Sequence, residues 1–323
     1  MSTDYFFIFL KILFCENRFF NNLNGSEIMK FVKMHGLGND YIVINEFDGE
    51  IIKEEDKEEF SRKICKRGFS IGADGVIFVQ KPTDNEYDIR FRIFNSDGSE
   101  AEMCGNGIRC FSKYVYERVL KKNPLKVETK GGLRISEMEI EDDIVKKVRV
   151  YMGAPKFQLK DIPMKIEGKS EEDVFLNETV KLKNDLLKEV KLSVVNVGNP
   201  HAVIFVEDND ITMDFARENL DIIGKEIENH EVFPERINVH FIEVLNPNEI
   251  KILTWERGAG YTTACGTGTT SSVIIAHKLG KTENKVLAHL DGGDLEIEIK
   301  EDGVYMKGNA VIIYEGELID IGW

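Results

Sequence analysis

The chain has 323 residues, of which 42% are hydrophobic and 31% charged, as in soluble globular proteins. This length favours two domains. The formal net charge of −15 argues against nucleic acid as a partner, because a phosphate backbone would be repelled.

The spacing of the cysteines and the apolar run near the N-terminus indicate the cellular compartment of the protein. None of the five cysteines forms a C-x-x-C pair typical of zinc or thioredoxin-like sites, so we expect free thiols in a reducing cytoplasm. The apolar run from Tyr5 to Phe14 is shorter than the roughly 20 residues that span a bilayer, and it lacks the basic start of a signal peptide. We therefore expect no membrane partner. Residues 1–28 are interpreted as an extension outside the fold, with a surface-packed helix as the alternative.

The folded part is predicted to begin at Lys30 with two short strands, Phe31 to Met34 and Tyr41 to Asn45. The turn between them contains Asn39, which on chemistry alone is a turn-former. A helix is predicted from Lys53 to Arg67, because apolar residues recur there at helical spacing.

A hairpin of strands 76–80 and 87–94 leads into the first of two glycine-rich cysteine turns. The stretch 95–110, NSDGSEAEMCGNGIRC, contains Cys104-Gly105-Asn106-Gly107, and a helix is predicted from Gly107 to Leu120. A cysteine just before a helix start lies where backbone N–H groups point outward and the macrodipole is positive, which favours thiolate. Cys110 lies inside the helix and is interpreted as packing.

β-like segments continue to Tyr151, and a plausible domain boundary follows at 152–155. Strands 190–197 and 202–206 flank the turn Gly198-Asn199-Pro200-His201. A lone histidine after Asn-Pro is more often a turn hydrogen-bonder than a catalyst, so spacing alone leaves the role of His201 open. Residues 214–228 are predicted to form one helix, followed by strands 237–244 and 250–255.

The stretch 255–272, WERGAGYTTACGTGTTSS, repeats the cysteine turn, with Glu256 and Arg257 ahead of it and a predicted helix 268–279 after it. Four short strands close the chain. The strands are too short and too closely connected for a parallel βαβ sheet. We therefore predict an α+β fold of two similar domains, each a mainly antiparallel sheet wrapped around a central helix.

Two cysteines at helix starts suit proton transfer at carbon. A thiolate can remove a proton from one face of a carbon centre while a thiol delivers one to the other face, which inverts the configuration. Backbone N–H groups at the helix starts could stabilise the carbanion and its carboxylate. The alternative, two cysteines that merely pack, is less consistent with two matched C-G-[NT]-G turns.

From Met29 to its C-terminus the sequence resembles the diaminopimelate epimerase family. The matching segments are HGLGNDY (35–41), RGFSIGADG (67–75), FNSDGSEAEMCGNGIRC (94–110), GNPHAV (198–203), RINVHF (236–241), WERGAGYTTACGTG (255–268) and GGDLEIE (292–298).

The resemblance implies a cofactor-independent, cytoplasmic isomerase that interconverts LL- and meso-diaminopimelate in lysine biosynthesis. Its active site would lie in the cleft between a first domain, 29–148 plus 312–323, and a second domain, 149–311. It also implies a homodimer, with Tyr314 as a weak candidate for a contact.

The resemblance further assigns roles to individual residues. Cys104 and Cys265 would be the opposed acid and base, with His201 and Glu256 orienting the reacting amino acid and supporting proton transfer. Gly105, Asn106, Gly266 and Thr267 would hold the reacting α-carboxylate and amino group. Arg257 would pair with the distal carboxylate. Substrate contacts are further expected from Asn39, Asn95, Asn199 and Asn238, and no metal is expected.

Two alternatives stay open at this stage. A proline racemase-like enzyme would use two cysteines in the same architecture, although its substrate lacks a distal amino acid group for Glu256, Arg257 and the asparagines. A redox-responsive dithiol protein belongs to a different class, in which the two thiols would oxidise to a disulfide.

Overall fold

The structure, a computed structural model, describes residues 29–318. The predicted extension 1–28 lies outside the described residues. Among the residues described, no helix is both long and apolar enough to cross a membrane.

The first half of the described chain forms eight strands and two α-helices. They are β1 (Met29–Gly36), β2 (Asn39–Glu46), α1 (Lys57–Ile64), β3 (Gly75–Gln80), β4 (Ile89–Asn95), β5 (Glu100–Ala101), α2 (Gly105–Arg118), β6 (Leu125–Thr129), β7 (Gly132–Glu141) and β8 (Ile144–Gly153).

The second half adds ten strands and three α-helices within the described residues. They are β9 (Glu178–Lys181), β10 (Glu189–Asn196), β11 (Pro200–Phe205), α3 (Met213–Glu218), α4 (Leu220–Glu228), β12 (Asn238–Asn246), β13 (Glu249–Glu256), β14 (Gly260–Thr262), α5 (Gly266–Lys278), β15 (Lys285–Leu290), β16 (Gly293–Lys300), β17 (Gly303–Gly308) and β18 (Val311–Leu318).

The strands pair mainly in the antiparallel sense, as predicted. Four pairs are parallel: β2 with β3, β4 with β6, β11 with β12, and β13 with β15. The last strand, β18, returns to pair with β1. The α+β prediction is therefore confirmed, with some parallel pairing that the short connections did not predict.

Each half of the sheet curls around one helix. Helix α2 packs against β1, β2, β3, β4, β7 and β8, and α5 packs against β10, β11, β12, β15, β16 and β17. On α2 the residues Ile108, Phe111 and Val115 are fully buried, as their helical spacing predicts. Helix α5 is buried on all sides near its start, where small Thr and Ser residues let the surrounding strands approach closely.

One prediction from sequence, a helix, differs from the structure. The single helix over 214–228 is wrong, because the chain breaks at Asn219 into α3 and α4. The Asn219 amide donates to Phe215 O and so closes α3, which interrupts the helix. The expected domain boundary at 148/149 falls within the continuous strand β8, which pairs with both β7 and β17. The domain boundaries stay a prediction.

The core around α2 can be tested by removing one ring. Phe111 is fully buried and packs edge-on against Phe91, with ring centroids 5.1 Å apart. We expect Phe111→Ala to lower the free energy of unfolding by about 3–5 kcal/mol, because it leaves a cavity. Urea denaturation measures the change. As a control, Phe69→Ala removes a ring that is 81% exposed and should cost less than about 0.5 kcal/mol. Equal losses would contradict the packing described.

Candidate active site

The starts of α2 and α5 meet. A Cβ added at Gly266 would lie 3.4 Å from Gly105 Cα and 3.0 Å from Met306 Sδ, so the two helix starts lie close together beside Met306. Cys104 and Cys265 are the residues that directly precede the two helices. Because the first N–H groups of a helix have no partner within it, both positive helix ends are directed to one place.

A cavity of about 450 Å³ lies at this meeting point. It brings together most of the residues expected from sequence and leaves out His201, Asn95 and Asn238. The residues that line it are Asn39, Tyr41, Ala101, Glu102, Met103, Cys104, Gly105, Asn106, Gly131, Arg134, Val197, Gly198, Asn199, Glu256, Arg257, Ala264, Cys265, Gly266 and Thr267.

Cys104 is surrounded by hydrogen-bond donors. Its Sγ accepts from the N–H of Gly107 at 3.4 Å and lies 3.1 Å from the hydroxyl of Tyr41. Burial and the neighbouring thiol raise the pKa of Tyr41 well above its usual range, so the phenol keeps its proton. Cys104 is only partly buried, and its sulfur borders the cavity.

Cys265 has a different environment. It is 5% exposed, its Sγ lies 3.6 Å from Thr267 Oγ1, and the carboxylate of Glu256 is near enough to act on it electrostatically. Burial and then the Glu256 charge raise the pKa of Cys265 well above its usual range, against hydrogen bonds from Thr267 and Gly268. This direction is opposite to the one that a helix start alone predicts, because a buried thiol beside a carboxylate favours the protonated form.

Glu256 is itself held in place. Thr262 Oγ1 donates to Glu256 Oε1 at 2.6 Å. Burial raises the pKa of Glu256, while hydrogen bonds from Thr262 and Cys265 lower it. The carboxylate is therefore fixed against the Cys265 thiol.

The side chain of Asn106 bridges the two halves of the chain. Its Nδ2 donates to Asn39 Oδ1 at 2.7 Å and to Ala264 O at 3.0 Å, and its Oδ1 accepts from Arg109 at 2.9 Å. These bonds use all of its amide hydrogens. Asn106 therefore offers a ligand its backbone rather than its side chain. Because Asn39 Oδ1 accepts from Asn106, the Asn39 Nδ2 is the side-chain group that remains for a ligand.

Arg109 lies fully buried behind this network. It donates to the carbonyl oxygens of Gly105 and Asn309 and approaches Met306 Sδ, all of them neutral groups. Burial lowers the pKa of Arg109 from its usual value, yet a guanidinium in a protein keeps its proton. A positive charge therefore lies beside the start of α2.

A chain of buried hydrogen bonds orients Asn199. His201 Nε2 lies 2.8 Å from Asn199 Oδ1, His201 Nδ1 lies 2.9 Å from His240 Nε2, and His240 Nδ1 lies 3.1 Å from Thr254 Oγ1. Burial lowers the pKa of His201 well below its usual range and that of His240 to about 3, so both rings are neutral. A neutral imidazole donates once and accepts once, so the bonds run one way. Asn199 Nδ2 is left for the cavity.

Asn238 positions the backbone of Arg257 through a hydrogen bond. The buried Asn238 Oδ1 accepts from the Arg257 N–H at 3.0 Å, and its Nδ2 donates to Pro200 O at 2.8 Å. Asn95 is exposed, lies outside the cavity lining, and donates to Ser99 Oγ at 3.0 Å. The predicted contacts of Asn95 and Asn238 with substrate stay predictions.

Sequence reasoning missed several residues of the site. Tyr41 and Arg134 line the cavity, Arg109 donates to the lining residue Asn106, and His240 contacts His201, which in turn contacts the lining residue Asn199. Tyr41 and Arg109 belong to segments quoted for the family resemblance, but only the three-dimensional contacts show what they touch. Among residues 29–318, no group of three or more His, Cys, Asp or Glu side chains could hold a metal ion.

The arrangement suits inversion at a carbon centre. Two thiols border one small cavity, with two sets of helix N–H groups for an anion and oriented amide donors around them. The four cysteines that the structure describes are free thiols.

Comparison with known sequences agrees with this geometry. A profile of the family described as diaminopimelate epimerase matches residues 31–158 and 193–313. The diaminopimelate epimerase of Methanocaldococcus jannaschii is 79% identical over 295 residues, covering 91% of this chain and 100% of that protein. That of Methanococcus aeolicus is 78% identical over 290 residues, covering 90% of this chain and 98% of that protein.

Solved structures share the fold at low identity. A hydroxyproline epimerase from Agrobacterium vitis superposes with a TM-score of 0.67 at 15% identity, covering 90% of this chain and 91% of that one. A probable proline racemase from Agrobacterium radiobacter K84 superposes with a TM-score of 0.64 at 15% identity, covering 90% and 92%. This likeness concerns the fold alone.

The buried histidine pair predicts a pH dependence of stability. In the unfolded chain a histidine binds a proton below about pH 6.5, whereas both buried rings stay neutral, so stability should fall as pH drops below about 6.5. Each ring contributes a slope of up to about 1.4 kcal/mol per pH unit. We expect His240→Gln to reduce the slope between pH 6.5 and 5, measured by urea denaturation. His277→Gln, at an exposed position, is the control. An unchanged slope in His240→Gln would show that this ring is not held neutral.

Proposed function

The chain belongs to the diaminopimelate epimerase family and is an isomerase, and from this premise we propose that it interconverts LL- and meso-2,6-diaminopimelate without a cofactor. The observation that carries the proposal is the pair of thiols, Cys104 and Cys265, at two helix starts that border one cavity.

Proton transfer is proposed to use the two thiols in turn. The thiolate of one cysteine removes the α-proton of one isomer and becomes a thiol. The carbanion then takes the proton of the other thiol on its opposite face, which leaves that cysteine as the thiolate. Either cysteine serves as the base, depending on which isomer is bound. Each turnover therefore exchanges the roles of Cys104 and Cys265.

The α-carboxylate of the substrate is proposed to lie at the two helix starts. Backbone N–H groups of Gly105, Asn106, Gly266 and Thr267 are free for an anion there, and charge that develops on the carboxylate during proton removal is stabilised by the same groups. The amides of Asn39 and Asn199 present N–H donors beside them, since their oxygens are used internally.

The distal end of the substrate is proposed to meet Arg257, whose guanidinium fork matches a carboxylate. Asn238 supports this role by holding the Arg257 backbone. Glu256 is proposed to control the proton of Cys265, which it contacts. His201 supports the reaction indirectly, because its ring is bonded to Asn199 and His240 and is absent from the cavity lining.

The cellular setting is part of the same proposal. We place the reaction in lysine biosynthesis in the cytoplasm. A homodimer is proposed through β18, where Val311, Ile313 and Tyr314 are 38%, 48% and 45% exposed. Exposed apolar side chains on a strand favour association with another chain.

The two alternatives from sequence have less support. Proline racemase-like proteins share the fold at 15% identity, whereas diaminopimelate epimerases match at up to 79%. A redox role for the thiols explains neither the oriented amides nor Arg257.

Isotope exchange tests the two-thiol mechanism. In heavy water, LL-diaminopimelate and the reduced protein alone should give meso product that carries deuterium at the inverted α-carbon, because the thiol that acts as acid has exchanged with solvent. Cys104→Ala and Cys265→Ala should each lower kcat by at least about 100-fold, the usual contribution of general acid–base catalysis. Mass spectrometry and chiral chromatography measure both.

The other two buried cysteines serve as controls. Cys65→Ala and Cys110→Ala remove thiols that lie in the packed core outside the cavity, so epimerisation per folded molecule should persist. Turnover retained in Cys104→Ala or Cys265→Ala, or product without deuterium, would refute the two-thiol mechanism.

The distal contact is tested at Arg257. Arg257→Lys keeps the charge but loses the fork, and we expect kcat/KM for diaminopimelate to fall by about 10-fold or more, since a hydrogen bond to a charged group contributes about 1.5–3 kcal/mol. Steady-state kinetics measure it. Arg118→Met, which removes an exposed arginine that pairs with Glu315, should leave kcat/KM unchanged. The same value for Arg257→Lys and the unsubstituted protein would rule out the distal contact.

A further inference from the structure

The two thiols differ in what surrounds them. Cys104 Sγ accepts from the Gly107 N–H and lies 3.1 Å from the Tyr41 hydroxyl, which can donate to it, whereas Cys265 Sγ has the negatively charged Glu256 nearby. A donor favours thiolate and a carboxylate favours thiol. The surroundings of the two cysteines therefore favour different protonation states.

The alternation of β2 directs the Tyr41 hydroxyl toward Cys104. Tyr41 and Val43 point into the core that surrounds α2, whereas Ile42 and Ile44 point into the cluster beneath α1. The Tyr41 side chain is 3% exposed, with its hydroxyl 3.1 Å from Cys104 Sγ. A buried hydroxyl needs a hydrogen-bond partner, and the Cys104 sulfur lies within hydrogen-bond distance of it.

We propose that Tyr41 is a positioning residue for Cys104. Its hydroxyl stabilises the Cys104 thiolate, so that Cys104 is the base of the pair before substrate binds. The inference rests on the proposed function. The Tyr41 hydroxyl donates to the Cys104 thiolate and, after proton transfer, turns to accept from the Cys104 thiol. Glu256 meanwhile keeps the single shared proton on Cys265, so that the free protein holds one base and one acid before substrate arrives.

Other charged and titratable groups around Cys104 act at longer range. Arg109 on α2 is a buried cation that favours thiolate, and Asp74 ahead of β3 opposes it from its pair with Arg67. Cys110 on α2 stays a thiol, because burial raises its pKa to about 12. Glu102 and Arg134 line the same cavity and carry opposite charges. The Tyr41 hydroxyl is, by contrast, a side-chain group within hydrogen-bond distance of the sulfur.

The hydrogen bond can be tested without substrate. The rate of iodoacetamide alkylation of Cys104, followed by peptide mass mapping across pH 5 to 10, reports its thiolate fraction. In Tyr41→Phe we expect the midpoint to rise by about one to two pH units, the shift that follows the loss of a hydrogen bond to a charged group. The acid limb of the pH profile of kcat/KM should move upward as well.

Tyr114→Phe is the matched control. Tyr114 is also buried in the core beside α2 but is absent from the cavity lining, so its variant should leave the Cys104 midpoint unchanged. A Tyr41→Phe midpoint equal to that of the unsubstituted protein, or an equal rise in Tyr114→Phe, would overturn the inference.

A measurement on the unsubstituted protein covers the case in which Tyr41→Phe does not fold. With tyrosine labelled by ¹³C at Cζ, the Tyr41 resonance should titrate with the midpoint found by alkylation, and a resonance indifferent to Cys104 ionisation would reject the contact. Neither readout uses diaminopimelate. A protein that shows the Tyr41 effect but fails to epimerise would therefore contradict the proposed function alone.

Discussion

The contact between Gly105 and Gly266 is the constraint on which the site depends. A Cβ at Gly105 or Gly266 would lie 3.2 or 3.0 Å from the Met306 side chain and 3.5 or 3.4 Å from the Cα of the opposite glycine. Because the two glycines touch, both positive helix ends and both preceding cysteines border one cavity. The two curled halves of the sheet hold α2 and α5 in this arrangement, since each helix is packed on several sides by strands of its own half.

Hydrogen bonds within the protein determine whether donors or acceptors face the cavity. Asn39 and Asn199 each spend their amide oxygen on an internal donor, from Asn106 and His201 respectively. Each of these two side chains then has only its amide N–H group left for a ligand. Such donors suit a carboxylate, whereas a donor group of a ligand would find no acceptor on them. Because Asn199 Oδ1 accepts from His201 Nε2, the neutral His201 ring accepts from His240 through Nδ1, so the bonds of the two rings run in one direction.

Local patterns predicted the parts of the site that are local. The two C-G-[NT]-G turns predicted both helix starts and both thiols, and helical spacing predicted the buried face of α2. Long-range contacts were not predictable in this way. The Asn106 side chain meets Asn39 and Ala264, which lie 67 and 158 positions away along the chain. His240 looked like an ordinary strand residue, and only parallel pairing of β11 with β12 brings it beside His201.

The helix starts alone would give both cysteines the same protonation state, and the two-thiol mechanism needs one base and one acid. A positive helix end favours thiolate at Cys104 and Cys265 alike, and two thiolates would leave the carbanion without an acid on either face. Burial of Cys265 beside Glu256 counters the helix end on that side and retains one proton. The two helix starts thus both supply N–H groups for an anion. The neighbouring side chains make the two cysteines different, and proton transfer across one carbon requires this difference because it needs one thiolate and one thiol.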